Sequence, residues 1–334
     1  MLRYPPHVSL ARLPTPLEEC PGVSDLLRPG QRLWVKRDDE TGCVTSGNKV
    51  RKLEFYVADA RQVGADTLVT AGSALSNHCR TTAVVARQVG LEAALLLRRP
   101  ERPALDGNFL LMALTDAIIR TLPPEAPGPT DDYLEDLAEA LRAQGRKPYV
   151  IPTGGSGPLG VTAYVRAAEE LKTQCDEIGL RPDAVTITYG SGSTYAGLLL
   201  GSRLSGLECP IVAMSISPTA DVCAQHTREL IDATIPLLGA APCVSDADIV
   251  ALDGYRGEGY GIAAPELYDF IHDIARRTGL ILDPVYTGKA LWGTLEEMRS
   301  GSLREAQNVV FIHTGGVFGL FQETEGFRLD WRTV

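Results

Sequence analysis

The chain has 334 residues, 44% of them hydrophobic and 22% charged, with a formal net charge of -10 and a sequence pI near 5.1. That length allows one large domain or two moderate ones with buried cores, and the acidity argues against a duplex nucleic acid partner, which needs a basic face to displace counterions. The cysteines at 20, 43, 79, 175, 209, 223 and 243 form no CxxC pair and are odd in number, so neither a zinc ribbon nor a complete disulfide framework is expected, and a reducing, cytoplasmic setting is the simplest expectation.

The first stretch, "MLRYPPHVSLARLPTPLEEC", carries prolines and charges where a signal peptide needs an apolar core. No later apolar run approaches the ~20 residues of a membrane span. "RLWVKR" then opens a series of short apolar runs of strand length: "DTLVTAG", "EAALLLR", "DAIIRTL", "KPYVIPT", "DAVTITYG", "PIVAMSIS" and "NVVFIHTGG". Amphipathic, Ala/Leu-rich segments separate most of them. Continuous apolar strands alternating with helices predict an α/β protein with open, mostly parallel twisted sheets covered by helices. The Pro-rich "TLPPEAPGPT" (121 to 130) is expected as a surface connection within the first sheet. The Gly-rich "PTGGSGPLG" (152 to 160) is expected at a crossing between two sheets, where a domain edge is placed.

Between the first two runs lies "SGNKVRKLEFYVADARQVG", Ser46 to Gly64. Val50, Leu53, Val57 and Ala60 form one apolar stripe and Gly64 is a natural helix stop, so Lys49 stands at a loop-to-helix junction. Cations are disfavoured at the positive end of a helix dipole. Lys49, Arg51 and Lys52 are therefore either solvent-exposed or placed there for something anionic.

Four further segments offer chemistry. "AGSALSNHCRTTAVVARQVG" reads as strand, turn and helix, and Ser76 and Asn77 fit plain N-cap residues at least as well as ligand contacts. "YGSGSTYAG" follows a strand and precedes an apolar helix. Its glycines, with Ser191, Ser193 and Thr194, make a phosphate cup at a helix N-terminus, although a Gly-rich turn without ligand fits as well. It has neither the lysine of a Walker loop nor the G-x-G-x-x-G of a dinucleotide fold. "LDPVYTGKALWG" and "FIHTGGVFGLF" set Tyr286, Thr287 and Thr314 beside glycines, both expected at strand C-terminal ends, where open α/β sheets collect ligands. No HExxH or acidic metal cluster appears. A lysine at the start of a helix, a phosphate cup and several hydroxyls together suit a phosphorylated aldehyde held as a lysine imine.

"LPTPLE", "KRDD", "SGNKVRKLEF", "GADTLVTAG", "SNH", "LDPVYTGK" and "FIHTGG" resemble, in order and spacing, the D-cysteine desulfhydrase and 1-aminocyclopropane-1-carboxylate deaminase family. The similarity runs from about Leu13 to Phe321. It implies the tryptophan synthase β-like, fold type II architecture and pyridoxal 5'-phosphate as cofactor. It divides the chain into a large cofactor-binding domain (1–50 plus 156–334) and a small α/β domain (51–155). It implies that Lys49 carries the cofactor and serves as proton-transfer base, with burial and the neighbouring cation lowering its pKa. Lys52 and the Gly190, Ser191, Gly192, Ser193 and Thr194 loop would hold the phosphate, Asn77 the ring 3' oxygen, and Thr314 the ring nitrogen, with Thr287 close by. Ser76 would meet the substrate, and Tyr260 and Tyr286 would line its side of the site.

Two positions depart from the family pattern. Ser46 stands for a glycine, tolerable if φ there is negative, and Leu75 for a glutamine, which removes a polar contact near the substrate. Thr287, where ring-opening deaminases usually have glutamate, resembles the desulfhydrase branch. The implied reaction is β-elimination on D-cysteine to pyruvate, ammonia and hydrogen sulfide, with cysteate sulfo-lyase and 1-aminocyclopropane-1-carboxylate deaminase as alternatives. A non-catalytic pyridoxal phosphate binding protein is the alternative of another class. The expected partners are a small amino acid and a second copy of the chain, with no nucleic acid and no membrane.

Overall fold

The computed structural model of the chain describes residues 2–98, 104–241 and 243–329. Its strands and helices run in the order β1 (Leu17–Glu19), β2 (Arg32–Lys36), α1 (Lys49–Gln62), β3 (Thr67–Ser73), α2 (Asn77–Gln88), β4 (Glu92–Arg98), α3 (Gly107–Leu114), β5 (Ile118–Leu122), α4 (Leu134–Arg142), β6 (Pro148–Val150), α5 (Pro158–Glu177), β7 (Ala184–Tyr189), α6 (Ser193–Ser205), β8 (Ile211–Ser215), α7 (Ala220–Leu238), β9 (Val250–Leu252), α8 (Pro265–Thr278), α9 (Thr287–Ser300), β10 (Asn308–Ile312) and α10 (Val317–Leu320). They build a six-stranded sheet of order β1-β2-β10-β7-β8-β9 and a four-stranded sheet of order β5-β4-β3-β6. Every pairing is parallel except β1 with β2.

The apolar runs become strands because both faces are covered. All six residues of β7 and all five of β8 are buried, so these strands have no alternation to show. On one face of the larger sheet α5 and α6 approach closely. A Cβ added to Gly197 would lie 2.3 Å from the Val161 carbonyl oxygen, and one on Gly201 2.6 Å from that of Val165, so glycine permits the contact. The opposite face carries α8 and α9, which bury Leu267, Ile271, Leu291 and Leu295. In the smaller sheet Leu68 and Leu95 pack toward α1 and α2, while Val69 and Leu96 pack toward α4.

One expectation fails here. "LDPVYTGK" does not follow a strand: Leu280–Tyr286 is irregular chain between α8 and α9. Leu280 and Leu282 are buried in the core, which accounts for the apolar signal, but they take no strand partner. "FIHTGG" does leave a strand, β10. β10 and β7 are neighbours, so their C-terminal loops, 313–316 and 190–192, open side by side toward the end of β3. A crevice at adjoining strand C-termini is the usual ligand position of such sheets.

Candidate active site

A cavity of about 570 Å³ occupies that crevice, with Lys49, Ser76, Asn77, Thr194, Tyr286 and Thr314 among its lining residues. Lys49 is the first residue of α1 and lies behind Asn48, whose Nδ2 donates to Thr194 Oγ1 at 3.0 Å. The Lys49 Nζ donates to the Gly154 carbonyl at 3.2 Å. Lys52, one turn on and fully buried, donates to the same carbonyl at 3.1 Å and to Ser193 Oγ at 2.8 Å. Burial lowers the Lys49 pKa to about 8. Lys52 falls well below the usual lysine value, first through burial and then through the charge of Lys49. The neighbouring cation expected to depress Lys49 therefore acts on Lys52, while contact with Lys52 pushes Lys49 upward.

The cup forms as expected between β7 and α6. Gly192 has φ +88°, a conformation that favours glycine, and a Cβ added there would lie 2.7 Å from Tyr189 Oη. Gly190, Ser191, Gly192 and Thr194 line the cavity, and the first amides of α6 lack intrahelical acceptors, as at every helix start. Thr194 Oγ1 accepts from Asn48, which leaves its own proton to donate. The Ser193 side chain is a correction. Its hydroxyl donates to the Gly155 carbonyl at 3.1 Å and accepts from Lys52, so it braces the lysine behind the cup instead of entering the cavity. Thr188 Oγ1, on the cavity wall, is buried without a partner among the described residues. No carboxylate lies among the described lining residues. A half-buried lysine, a fully buried one behind it, a helix N-terminus and unpaired hydroxyls with no acid fit a phosphorylated cofactor.

Ser76 caps α2 and accepts from the Cys79 amide at 3.1 Å. The plain N-cap role is thus real, and the hydroxyl still lines the cavity. Neighbouring His78 is buried, and its tautomer follows from its partners. Thr70 Oγ1 gives its proton to the Ile151 carbonyl at 2.8 Å and so accepts from His78 Nε2 at 3.0 Å. Nδ1 is left as a bare acceptor with no partner among the described residues. Burial and the charges of Lys49 and Lys52 hold this imidazole neutral.

Across the cavity Tyr260 Oη lies 2.8 Å from Tyr286 Oη and 3.2 Å from Ser73 Oγ, and the two rings meet edge to face at 5.8 Å. Burial raises both phenols, Tyr286 further through its contact with Tyr260.

Thr314 lines the cavity, and its carbonyl accepts from the Asn48 amide at 3.1 Å. Thr287 does not join it. Fully buried, it donates its hydroxyl to Asp283 Oδ1 at 2.7 Å and its amide to the same oxygen at 2.9 Å. Asp283 also takes the amides of Val285 and Tyr286, so Thr287 helps cap α9 and is absent from the cavity lining. Leu75 is likewise absent, and its Cδ1 packs near Gly261, 3.7 Å from where a Cβ on that residue would stand. Ser46 is not among the described residues with positive φ, which is why serine is accommodated. Lining residues not anticipated from sequence include Asn48, Ser73, Arg98, Thr188 and Gly154. Asn48 had a signal, its place directly before Lys49, and Gly154 lay in a stretch expected only as a crossing.

A family model described as "Pyridoxal-phosphate dependent enzyme" matches residues 8–315. A protein of Arabidopsis thaliana named bifunctional D-cysteine desulfhydrase/1-aminocyclopropane-1-carboxylate deaminase, mitochondrial, is 38% identical over 96% of this chain and 81% of its own length. A D-cysteine desulfhydrase of Salmonella newport (strain SL254) is 38% identical over 95% of each chain. Among solved structures, an ACC deaminase homologue superposes with a TM-score of 0.87 at 36% identity, covering 96% of this chain and 95% of that one.

Proposed function

The chain belongs to the pyridoxal-phosphate-dependent enzymes, in the family that holds D-cysteine desulfhydrase and 1-aminocyclopropane-1-carboxylate deaminase, and from that premise we propose that it converts D-cysteine and water to pyruvate, ammonia and hydrogen sulfide. Pyridoxal 5'-phosphate, when bound, supplies the electron sink for charge left at the substrate α-carbon. Lys49 would hold it. The cup amides and Thr194 would bind its phosphate with Lys52 as counter-charge, Asn77 would donate to its ring oxygen, and Thr314 would face its ring nitrogen.

The observation that carries this reading is an asymmetry across one cavity. Lys49 lines one side with Lys52 buried behind it and no carboxylate among the described lining residues, and the Ser73, Tyr260 and Tyr286 hydroxyls form a chain on the other. A pKa of about 8 leaves roughly a tenth of Lys49 neutral at pH 7, against about one in a few thousand for an ordinary lysine. Its Nζ can then take the α-proton of the substrate. The bond from β-carbon to sulfur breaks with its electrons on sulfur, and the phenols Tyr260 and Tyr286, protonated at neutral pH as any tyrosine is, are placed to return a proton to the departing thiolate. Ser76, its oxygen held by the Cys79 amide, would donate toward the substrate carboxylate.

Because Thr287 faces Asp283, it does not argue for the desulfhydrase over the ring-opening deaminase, and the preference rests on the relatives. We place the enzyme in the cytoplasm, on its cysteine pattern, and as a homodimer, as the family resemblance implies. The net charge of -10 opposes a nucleic acid partner, and no described helix is long and apolar enough to cross a membrane. The test is a screen for oxo-acid and sulfide release over D- and L-cysteine, β-chloro-D-alanine, cysteate, D-serine and the cyclopropane amino acid. The expected outcome is the highest kcat/KM on D-cysteine. A higher value on cysteate or the cyclopropane substrate would move the assignment within the family, and no turnover of any of them would favour a binding protein.

A further inference from the structure

The Asn77 amide reaches the cavity wall, and two residues behind that wall decide which end of it points inward. Arg80, one turn along α2, is fully buried. Its Nε donates to Asn108 Oδ1 at 3.1 Å, its Nη1 to the Val44 carbonyl, and its Nη2 to the Ser46 carbonyl at 3.1 Å and Asn77 Oδ1 at 3.4 Å. Asn108, on α3, donates its Nδ2 to the Leu75 carbonyl at 2.9 Å and to Asn77 Oδ1 at 3.1 Å. No carboxylate pairs with Arg80 among the described residues. Its guanidinium lies 4.9 Å over the Phe318 ring, and burial pulls its pKa down to about 9. A buried, unpaired cation is costly to keep.

The orientations follow from chemistry. A guanidinium only donates and a backbone carbonyl only accepts, so Asn108 has one possible arrangement, oxygen to Arg80 and nitrogen to Leu75. The Asn77 atom that meets both the Asn108 nitrogen and the guanidinium must then be its oxygen. Asn77 Nδ2 is thereby turned away from both, without a partner among the described residues.

We propose that Arg80 and Asn108 are positioning residues that present Asn77 Nδ2 as a donor to the ring oxygen of the cofactor, and that the bond from Arg80 to Ser46 ties this donor to the turn delivering Lys49. The proposal rests on the placement of Asn77 beside the cofactor ring given above. A reversed Asn77 amide would set oxygen against oxygen, and among the described residues it is this pair behind the wall that opposes the reversal.

Asn108→Asp keeps the acceptor for Arg80 and the volume of the side chain, but replaces the group facing Asn77 with a second oxygen, which favours the reversed amide. Cofactor dissociation by equilibrium dialysis, and the intensity ratio of the visible and near-ultraviolet cofactor bands at fixed pH, are measured in Asn108→Asp, Asn77→Ala and the double variant. Asn77→Ala is expected to weaken retention about tenfold and change the band ratio, Asn108→Asp to do the same, and the double variant to be no worse than Asn77→Ala. A folded Asn108→Asp protein with wild-type retention and band ratio, or additive effects in the double variant, would overturn the proposal. If Asn77→Ala alone changes neither readout, the placement of Asn77 at the ring falls and the proposal with it. Should Asn108→Asp fail to fold, Asn108→Ser, which deletes the donor without adding charge, is judged by the same criteria.

Discussion

The first turn of α1 places Arg51 and Lys52 side by side in sequence and in opposite electrostatic worlds. Arg51 makes two hydrogen bonds to Asp38, at 3.1 and 2.7 Å, and two to Glu170, at 2.9 and 3.0 Å. Lys36 closes the cluster through Glu170. Burial works against the Arg51 charge and the two carboxylates more than restore it. Burial likewise pushes the Glu170 carboxyl up, and Arg51 and Lys36 bring it down to about 2. Lys49, on the cavity wall, and Lys52 behind it share one carbonyl and have no acid partner among the described residues. One cation set is complete and the other lacks its counter-charge. That lack distinguishes a structural cation from one awaiting a ligand, and it resolves the conflict of placing cations at a helix N-terminus.

The contrast breaks most severely at Lys49. Lys49→Ala removes both the attachment point and the base, and turnover is expected to fall about 10³-fold or more, read as oxo-acid release at saturating substrate. On the opposite face, Arg51→Met leaves Asp38 buried without its cation and Glu170 with Lys36 alone, a loss of about 3–5 kcal/mol measurable as the urea midpoint of the cofactor-free protein. Lys52→Met sharpens the comparison because its expected sign is opposite. Removing an unpaired buried cation leaves cofactor-free stability unchanged or higher, while cofactor dissociation rises about tenfold to a hundredfold with the loss of a charged partner for the phosphate. Thr194→Ala, which deletes one hydroxyl donor from the cup and the acceptor for Asn48, is expected to weaken cofactor retention about tenfold.

These two cation sets were not equally legible in the sequence. The Ser-Gly-Asn turn before Lys49 and the apolar stripe behind it place the lysine at the start of a helix, and the long buried strands announce themselves by continuous apolar runs. β1 and β9, three residues each, are too short to show any pattern. The way a hydroxyl faces depends on distant neighbours, so Ser193 and Thr287 looked like site residues. One is drawn to Lys52 and Gly155, the other to Asp283. Arg51 and Arg80 resemble ordinary solvated arginines until Glu170 and Asn108, brought from far along the chain, come to meet them. Gly154 contributes only a carbonyl, which no side-chain pattern records.

The central claim is that Lys49 is the cofactor lysine, without an acid partner among the described residues and partly neutral because desolvation lowers its pKa. The most direct measurement is borohydride reduction of the cofactor-loaded protein followed by peptide mapping, with the rate of loading of the cofactor-free protein followed across pH. The account expects the label on Lys49. Because only the neutral amine attacks an aldehyde, loading should accelerate as pH rises and level off above about 8, where burial has set the Lys49 pKa. A label on Lys52 or any other lysine would contradict it. So would loading that keeps accelerating toward pH ~10, as it would for an ordinary solvated amine.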